Sequence, residues 1–465
     1  MTSTPQETVE RALGLSKADG CVVLATEVAE TNLRWAKNTL TTNGEMRSRR
    51  VAVISLVNGA TGTASAVVER SAVDADALES LVRAAEQAAR DAGPAEDAMP
   101  LVEPADDHPG SAGWSEGPAG TSVEVFHTFA PELSEAFSRA AAADRLLFGF
   151  AEHIVESTFL GTSTGLRLRH DQPTGRLELN AKSPDFSRSA WAGQGTRDFA
   201  DVDVLALDAA LGQRLDWQRN HVELEPGRYE TILPPAAVAD LMTGLYWTAT
   251  ARDADEGRTV FSKKGGGSRI GERLTDVPIT LRSDPWAPGL QCAPFLYTTR
   301  SSSDLSVFDN GAPCAAAEWI SGGVLANLTT TRSWAQRTGR RPTLQVDNLL
   351  LESPDGAGGV DDMVAGTGRG LLLTTLWYIR VLDPQTLLET GLTRDGVYLV
   401  EGGEVTAAVN NFRFNESPVD MLARIGGVGR TERTIPREFT DYFTRTAMPA
   451  LRVHDFNMST VSKGV

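Results

Sequence analysis

The sequence predicts an α+β fold: an α/β N-terminal domain with an antiparallel sheet, then a β-rich C-terminal domain with a curved antiparallel sheet. Two observations lead to this prediction. The first half mixes helical spacing of apolar residues with alternating, strand-like runs. From residue 279 onward, short strand patterns are separated by Gly, Asn and Asp. The 465 residues suffice for two to three domains. We predict domains at 1–220 and 221–465, with a linker or long loop at 93–121 inside the first.

The composition narrows the possible functions. Forty-four Lys and Arg stand against 61 Asp and Glu, a formal net charge of −17. This balance argues against nucleic-acid binding, which neutralises phosphates with basic residues. Three cysteines without a C-x-x-C pattern favour a reducing compartment. The sequence opens without a leader pattern, and its apolar runs are shorter than a membrane span. We therefore expect a cytoplasmic protein that binds no nucleic acid and no membrane.

In the first domain, the pattern predicts a helix near Val9 to Leu15 and another from Asp74 to Ala92. Alternating runs between them predict an antiparallel meander. Its turns are expected at Asn43-Gly44 and Asn58-Gly59, because Asn-Gly is a strong hairpin signal.

Two more helices are predicted at residues 131–148 and 202–215, with strands between them. Gly161-Thr-Ser-Thr-Gly165 matches the G-x-S-x-G pattern of a nucleophile elbow, which needs a strand, a sharp turn and a helix. The residues after Gly165 alternate as a strand does, so we interpret this segment as a hairpin turn.

The centre of the chain carries a helix pattern that begins at Pro234-Pro235, since proline is tolerated in the first helical turn. The apolar residues at i, i+3, i+4 and i+7 predict one buried face of an amphipathic helix: Val238, Leu241, Met242, Leu245 and Ala249. The Lys/Gly-rich segment 263–267 that follows lacks the Walker spacing, so we interpret it as a flexible loop.

Several short motifs follow this helix in a characteristic order. They are Gly257-Arg-Thr-Val-Phe261, Lys264-Gly-Gly-Gly-Ser-Arg-Ile-Gly271, Asp309-Asn-Gly-Ala-Pro313, Asn411-Phe-Arg-Phe-Asn-Glu-Ser-Pro418 and Arg424-Ile-Gly-Gly-Val-Gly429. Over nearly the whole chain, their number and order resemble the TldD/PmbA (TldE) family, also called the modulator-of-gyrase family. In the TldD branch of that family the central helix carries His-Glu-x-x-x-His, which binds zinc, and a C-terminal cysteine supplies a further ligand.

The sequence departs from the zinc pattern at both places. Thr243, Gly244 and Thr248 occupy the approximate positions of the motif, and no cysteine follows Cys314. Zinc takes thiolate, imidazole or carboxylate ligands, which these residues do not supply. The resemblance therefore implies the PmbA/TldE branch. It implies no metal and no catalytic residue in this chain, and zinc in a TldD-like partner.

Asn411 and Arg413 are the candidate residues for a substrate cavity. They alternate with Phe412 and Phe414, so they share the polar face of a predicted strand. If this face lines a cavity, Arg413 could hold a peptide carboxylate. An ordinary structural salt bridge is the alternative, and we favour it because a lone arginine does not identify a site.

The resemblance implies a metal-free TldE/PmbA-like subunit that pairs with a zinc-bearing TldD-like chain, forming a metalloprotease that acts on unfolded or small peptides. This chain would then be the non-catalytic subunit. Two alternatives stay open: an enzyme with an unrecognised site that modifies a peptide-like small molecule, and a stand-alone peptide-binding homodimer.

Overall fold

The computed structural model describes residues 3–462 and confirms the α+β class. It contains two sheets, sheet A in the N-terminal half and sheet B in the C-terminal half. The outer ends of the two predicted domains, residues 1–2 and 463–465, lie outside the described residues. The boundary between residues 220 and 221 stays a prediction.

Sheet A is antiparallel throughout, with strand order β3-β2-β1-β4-β5-β6. Its strands are β1 (Gly20–Ala36), β2 (Thr39–Gly59), β3 (Gly62–Ser71), β4 (Leu146–Thr162), β5 (Arg167–Lys182) and β6 (Ser189–Thr196). The helices of this half are α1 (Pro5–Leu15), α2 (Ala75–Asp91), α3 (Ala130–Ala142) and α4 (Val204–Trp217).

Two local predictions in this half are wrong. Asn43-Gly44 lies inside β2, and the first hairpin turns instead at Lys37-Asn38, whose φ angles are 51° and 61°. Asparagine tolerates this left-handed conformation, and the two positive φ angles match the right-handed twist of the strands. The predicted helix at 131–148 ends at Ala142, and its last residues begin β4. The turn at 161–165 is confirmed as the β4–β5 hairpin.

Sheet A is covered on both faces. Odd-numbered residues of β1, such as Cys21, Val23 and Ala25, pack with α1 and α2. Even-numbered neighbours, such as Val22 and Leu24, point to the opposite face because strand side chains alternate. There they pack against Phe295, Val307 and Phe308 from the C-terminal half. The two halves of the molecule therefore share a hydrophobic contact.

Sheet B is described by fourteen strands: β7 (His221–Val222), β8 (Gly227–Leu233), β9 (Thr280–Ser283), β10 (Ala317–Ser321), β11 (Val324–Leu325), β12 (Leu349–Glu352), β13 (Arg369–Leu373), β14 (Leu376–Asp383), β15 (Leu388–Thr393), β16 (Val397–Glu401), β17 (Glu404–Val409), β18 (Phe412–Glu416), β19 (Ile425–Thr434) and β20 (Thr446–Val461). Its helices are α5 (Pro235–Thr248), α6 (Ala251–Asp255), α7 (Arg332–Thr338), α8 (Val360–Ala365) and α9 (Pro418–Leu422).

The strand order in sheet B is β11-β10-β9-β12-β20-β8-β13-β16-β17-β7, and β14, β15, β18 and β19 branch from this path. Most pairs are antiparallel, as predicted, but β12–β20, β13–β8 and β17–β7 are parallel, so the sheet is mixed. Parallel neighbours require a crossover connection, and the chain between β8 and β13 supplies one that includes α5. Within residues 3–462, no helix has the length and apolar character needed to cross a membrane.

Candidate functional site

Helix α5 lies at the centre of the C-terminal half. Pro235 is its first residue and Pro234 its N-cap, as the double proline predicts. The helix packs against β8, β19, β20 and α9. The prediction of an amphipathic helix with one buried face is wrong: Asp240, Thr243 and Gly244 are buried together with the apolar residues. Every residue from Ala237 to Tyr246 is buried, so this part of the helix has no face left for solvent.

The three positions predicted to replace a zinc motif lie in or beside this enclosed region. Thr243 is fully buried, and its hydroxyl oxygen has no hydrogen-bond partner among the described residues. Thr248 donates its hydroxyl to the carbonyl oxygen of Gly244 at 3.0 Å, within the last turn of the helix. Both threonines therefore offer only neutral hydroxyl groups at these positions.

Gly244 faces a buried carboxyl group. A Cβ atom at this position would lie 2.5 Å from Oε1 of Glu389 on β15, closer than non-bonded atoms approach. Glu389 is 1% exposed, and its Oε2 is buried without a partner among the described residues. Burial raises the pKa of Glu389 to about 8. This raised pKa favours the protonated acid at neutral pH, and Oε1 of Glu389 occupies the space that a side chain at residue 244 would enter.

Asp240, one turn earlier on α5, organises the loop between β19 and β20. Its carboxylate accepts hydrogen bonds from the backbone N–H groups of Arg437 (3.1 Å), Glu438 (2.8 Å) and Phe439 (3.4 Å). Burial raises the pKa of Asp240, and the three N–H donors act in the opposite direction. The packing of Trp247 against Phe439, with ring centroids 5.0 Å apart, adds a second contact between helix and loop.

The same loop extends this connection to the edge of sheet B. The carboxylate of Glu438 accepts from the backbone N–H groups of Tyr378 at 2.9 Å and Ile379 at 3.2 Å. These groups belong to β14, whose pairing is with β15 alone among the described strands. A chain of contacts thus runs from the centre of α5 through residues 437–439 to the edge strand.

Arg437 links this loop to sheet A. Its guanidinium group lies 5.1 Å from the ring centroid of Trp191 on β6 and 4.5 Å from that of Trp377 on β14. The carboxylate of Glu178 on β5 lies 3.9 Å from the guanidinium group of Arg437. It also accepts a hydrogen bond from the indole N–H of Trp191 at 2.9 Å. A cation between two indole faces is attracted by both rings. Arg437 therefore holds the two halves together at one point.

Asn411 and Arg413 lie on one half-exposed face of β18 and its preceding residue, while Phe412 and Phe414 are buried, so the predicted alternation is present. Arg413 donates to the hydroxyl of Thr390 at 3.1 Å. The favoured salt bridge does not occur between described residues, because none of their carboxylates lies within 4.0 Å of Arg413. The side-chain hydrogen bonds of these two residues go to Thr393 and Thr390 on β15, and within residues 3–462 neither forms a hydrogen bond with α5.

The arrangement of possible metal ligands is a further property of the site. Across residues 3–462, no three His, Cys, Asp or Glu side chains are grouped so that they could hold a metal ion. The buried histidines have other partners: His108 contacts the carbonyl oxygen of Gly311 at 2.6 Å, and His153 contacts Thr121 at 2.7 Å. Thr243, Gly244 and Thr248 do not fit zinc, since they offer two hydroxyls and no third side chain.

A cleft between the two halves was not predicted. It has a volume of about 270 Å³ and lies between the even-numbered face of β4 and β5 and the loop at 440–445. Glu152 and Glu156 lie on β4 and line this cleft. Their position opposite the C-terminal half follows only from the contact between the halves, which no local pattern encodes.

Two family models match this chain. The PmbA/TldA metallopeptidase C-terminal domain matches residues 226–460, and the PmbA/TldA metallopeptidase domain 1 matches residues 21–92. No curated protein matches the chain.

The fold is also similar to that of solved structures at low sequence identity. TldE from Thermococcus kodakarensis superposes with a TM-score of 0.77 at 16% identity, covering 97% of this chain and 98% of that one. A candidate modulator of a DNA gyrase from Thermotoga maritima gives 0.74 at 16% identity, covering 98% and 100%. Another from Bacteroides thetaiotaomicron gives 0.75 at 12% identity, covering 98% of each chain.

Proposed function

Because the chain belongs to the PmbA/TldD family, we propose that it is the metal-free, TldE-like subunit of a two-chain metalloprotease. Its partner would be a TldD-like chain with His-Glu-x-x-x-His on the corresponding helix, and zinc would be bound there. The pair would act on unfolded or small peptides. In this arrangement, the present chain closes the chamber, shapes its entrance and stabilises the partner.

The observation that carries this proposal is the chemistry of α5. Thr243 and Gly244 are buried, and the carboxyl group of Glu389, whose pKa burial raises to about 8, occupies the space next to Gly244. Catalytic zinc requires three protein ligands and an open coordination position. At the positions of the zinc motif, α5 has two threonine hydroxyls and a glycine, which are not zinc ligands. This chemistry supports a structural role for the chain.

The proposal is tested by mixing the purified chain with a TldD-like chain that carries the motif. We expect the separate chains to leave an unfolded peptide substrate intact and the mixture to hydrolyse it. Zinc analysis should assign the metal to the partner, and size-exclusion chromatography should show one complex containing both chains. The matched control uses the partner with its motif histidines replaced by alanine: the complex should still form, without hydrolysis.

Other outcomes would favour the alternatives. Hydrolysis by the present chain alone, with stoichiometric metal, would contradict the proposal. Turnover of a peptide-like small molecule by the isolated chain, lost in Arg413→Ala, would indicate an enzyme with a different site. A peptide-binding homodimer that does not exchange with the partner would indicate a stand-alone binding protein.

A further inference from the structure

The cleft between the two halves combines acidic side chains with a hydroxyl that has no hydrogen-bond partner within residues 3–462. Four carboxylates and two guanidinium groups line it: Glu152, Glu156, Asp347, Asp441, Arg176 and Arg445. Since the carboxylates outnumber the guanidinium groups, the cleft carries a negative charge. A concave, water-accessible site with converging polar groups is the usual form of a small-ligand site.

Both guanidinium groups are neutralised by neighbours inside the cleft. Arg176 contacts Glu152 at 3.1 Å and Asp441 at 2.6 Å. Arg445 forms an ion pair with Asp347 and donates to the hydroxyl of Thr174 at 3.0 Å. These pairs leave little positive charge to repel a cation or attract an anion.

Glu156 is the carboxylate that remains. It accepts hydrogen bonds from the hydroxyls of Tyr297 at 3.2 Å and Thr158 at 3.4 Å. No cationic side chain of the described residues lies within 4.0 Å of it. Burial raises the pKa of Tyr297, which keeps its hydroxyl protonated as a donor to Glu156. Because Glu156 has no cationic partner among the described residues, it favours a cationic ligand.

Two further side chains line the same cleft as Glu156. Thr440 lines the cleft, is 6% exposed, and has a hydroxyl oxygen without a hydrogen-bond partner among the described residues. Such an oxygen can accept from an ammonium N–H. Tyr442 lines the same cleft and is 78% exposed, so its ring is free to contact a cation by its face.

We propose that this cleft binds a primary ammonium group, with Glu156 as its counter-ion and the Thr440 hydroxyl as a second acceptor. The ligand class is a lysine side chain of a peptide or a free alkylamine, which share this chemistry. The binding takes place within one chain and does not rest on the proposed pairing with a second subunit.

The test is calorimetric titration of the isolated chain with an acetylated and amidated Gly-Lys-Gly peptide, in which the lysine carries the only charge. We expect binding that weakens with added salt, and no binding of the matched peptide with norleucine in place of lysine. Butylamine distinguishes the two sources: weaker binding than the peptide indicates a peptide ligand, and equal binding indicates a free amine.

Variants locate the site. Glu156→Gln retains an oxygen for the Tyr297 hydroxyl but loses the charge, and should weaken binding of the lysine peptide roughly tenfold or more. Tyr442→Ala, on an exposed side chain, should weaken it less. Glu135→Gln makes the same change on the surface of α3, where the side chain is 52% exposed, and should leave binding unchanged. Equal binding of the lysine and norleucine peptides, or full affinity in Glu156→Gln, would overturn the proposal.

Discussion

The carboxyl group of Glu389 should make the stability of the protein depend on pH. Burial raises its pKa to about 8, whereas the unfolded chain exposes an ordinary glutamate with a pKa of about 4.3. The folded state therefore holds a proton that the unfolded state releases between these values. The contribution to stability is complete below the unfolded pKa and is lost as the pH rises through the folded pKa.

As the pH rises from about 4.3 to about 8, we expect the titration of Glu389 to lower the free energy of unfolding by up to ~1.4 kcal/mol per pH unit. Urea denaturation of the native chain and of Glu389→Gln over the window measures the effect, because the amide does not titrate. The slope should be shallower in Glu389→Gln, while the exposed control Glu135→Gln should keep the native slope. Parallel profiles for the native chain and Glu389→Gln would contradict the assignment.

The sequence did not reveal Glu389 or Asp240 as buried acids. Glu389 stands between Leu388 and Thr390, a pattern that fits either face of a strand. Its burial depends on β15 pairing with β18 and on α5 packing nearby, both of which are long-range contacts. Asp240 interrupts an apolar run, but the sequence does not show which distant backbone groups bind its carboxylate.

Among the structural elements, the loop at residues 437–439 depends on α5 for its conformation. In Asp240→Asn, an amide N–H₂ replaces one of the two oxygens that accept backbone N–H groups. An unpaired buried donor costs about 1–3 kcal/mol, so we expect a destabilisation of that order. Hydrogen exchange of residues 437–439 should accelerate, since their acceptor is weakened.

Asp216→Asn is the matched control for this change, because the Asp216 side chain is 66% exposed at the end of α4. It should leave both the unfolding midpoint and the exchange of residues 437–439 unchanged. Native exchange rates at these residues in Asp240→Asn would show that the loop is held by other contacts, such as Trp247 with Phe439.

The position of α5 was predicted well, but its surroundings were not. Pro234 and Pro235 fix where the helix begins, and apolar spacing indicates its length. Periodicity identifies the most apolar face but does not show how many faces are covered. Here strands from distant parts of the sequence and α9 enclose the helix, including Thr243 and Gly244.

For the whole molecule, Arg437 should contribute to the cohesion of the two halves. Arg437→Ala removes the cation between Trp191 and Trp377 and leaves Glu178 with one charge partner fewer. We expect a loss of about 1–3 kcal/mol in the free energy of unfolding, measured by urea denaturation. Arg437→Lys, which keeps the charge, should retain part of this stability.

Arg430→Ala provides the control, since that side chain is 66% exposed on β19. Its unfolding midpoint should match that of the native chain. A midpoint for Arg437→Ala equal to that of the control would mean that the contact of Val22 and Leu24 with Phe295 and Phe308 is enough to join the halves.

At this scale, the sequence predicted the α+β class and the family, because both depend on patterns that extend along the chain. The mixed character of sheet B and the cleft between the halves depend on which distant segments meet. Asn411 and Arg413 illustrate the difference: alternation correctly placed them on the more exposed face of their strand, yet gave no information about what lies opposite that face.

The contact between Gly244 and Glu389 couples the side chains that these two positions can hold together. Any side chain introduced at residue 244 would meet the carboxyl group of Glu389 before it reached open space. A side chain at residue 244 would therefore require the carboxyl group of Glu389 to move or to be shortened. A design that grafts a metal motif onto α5 would accordingly change position 389 together with position 244.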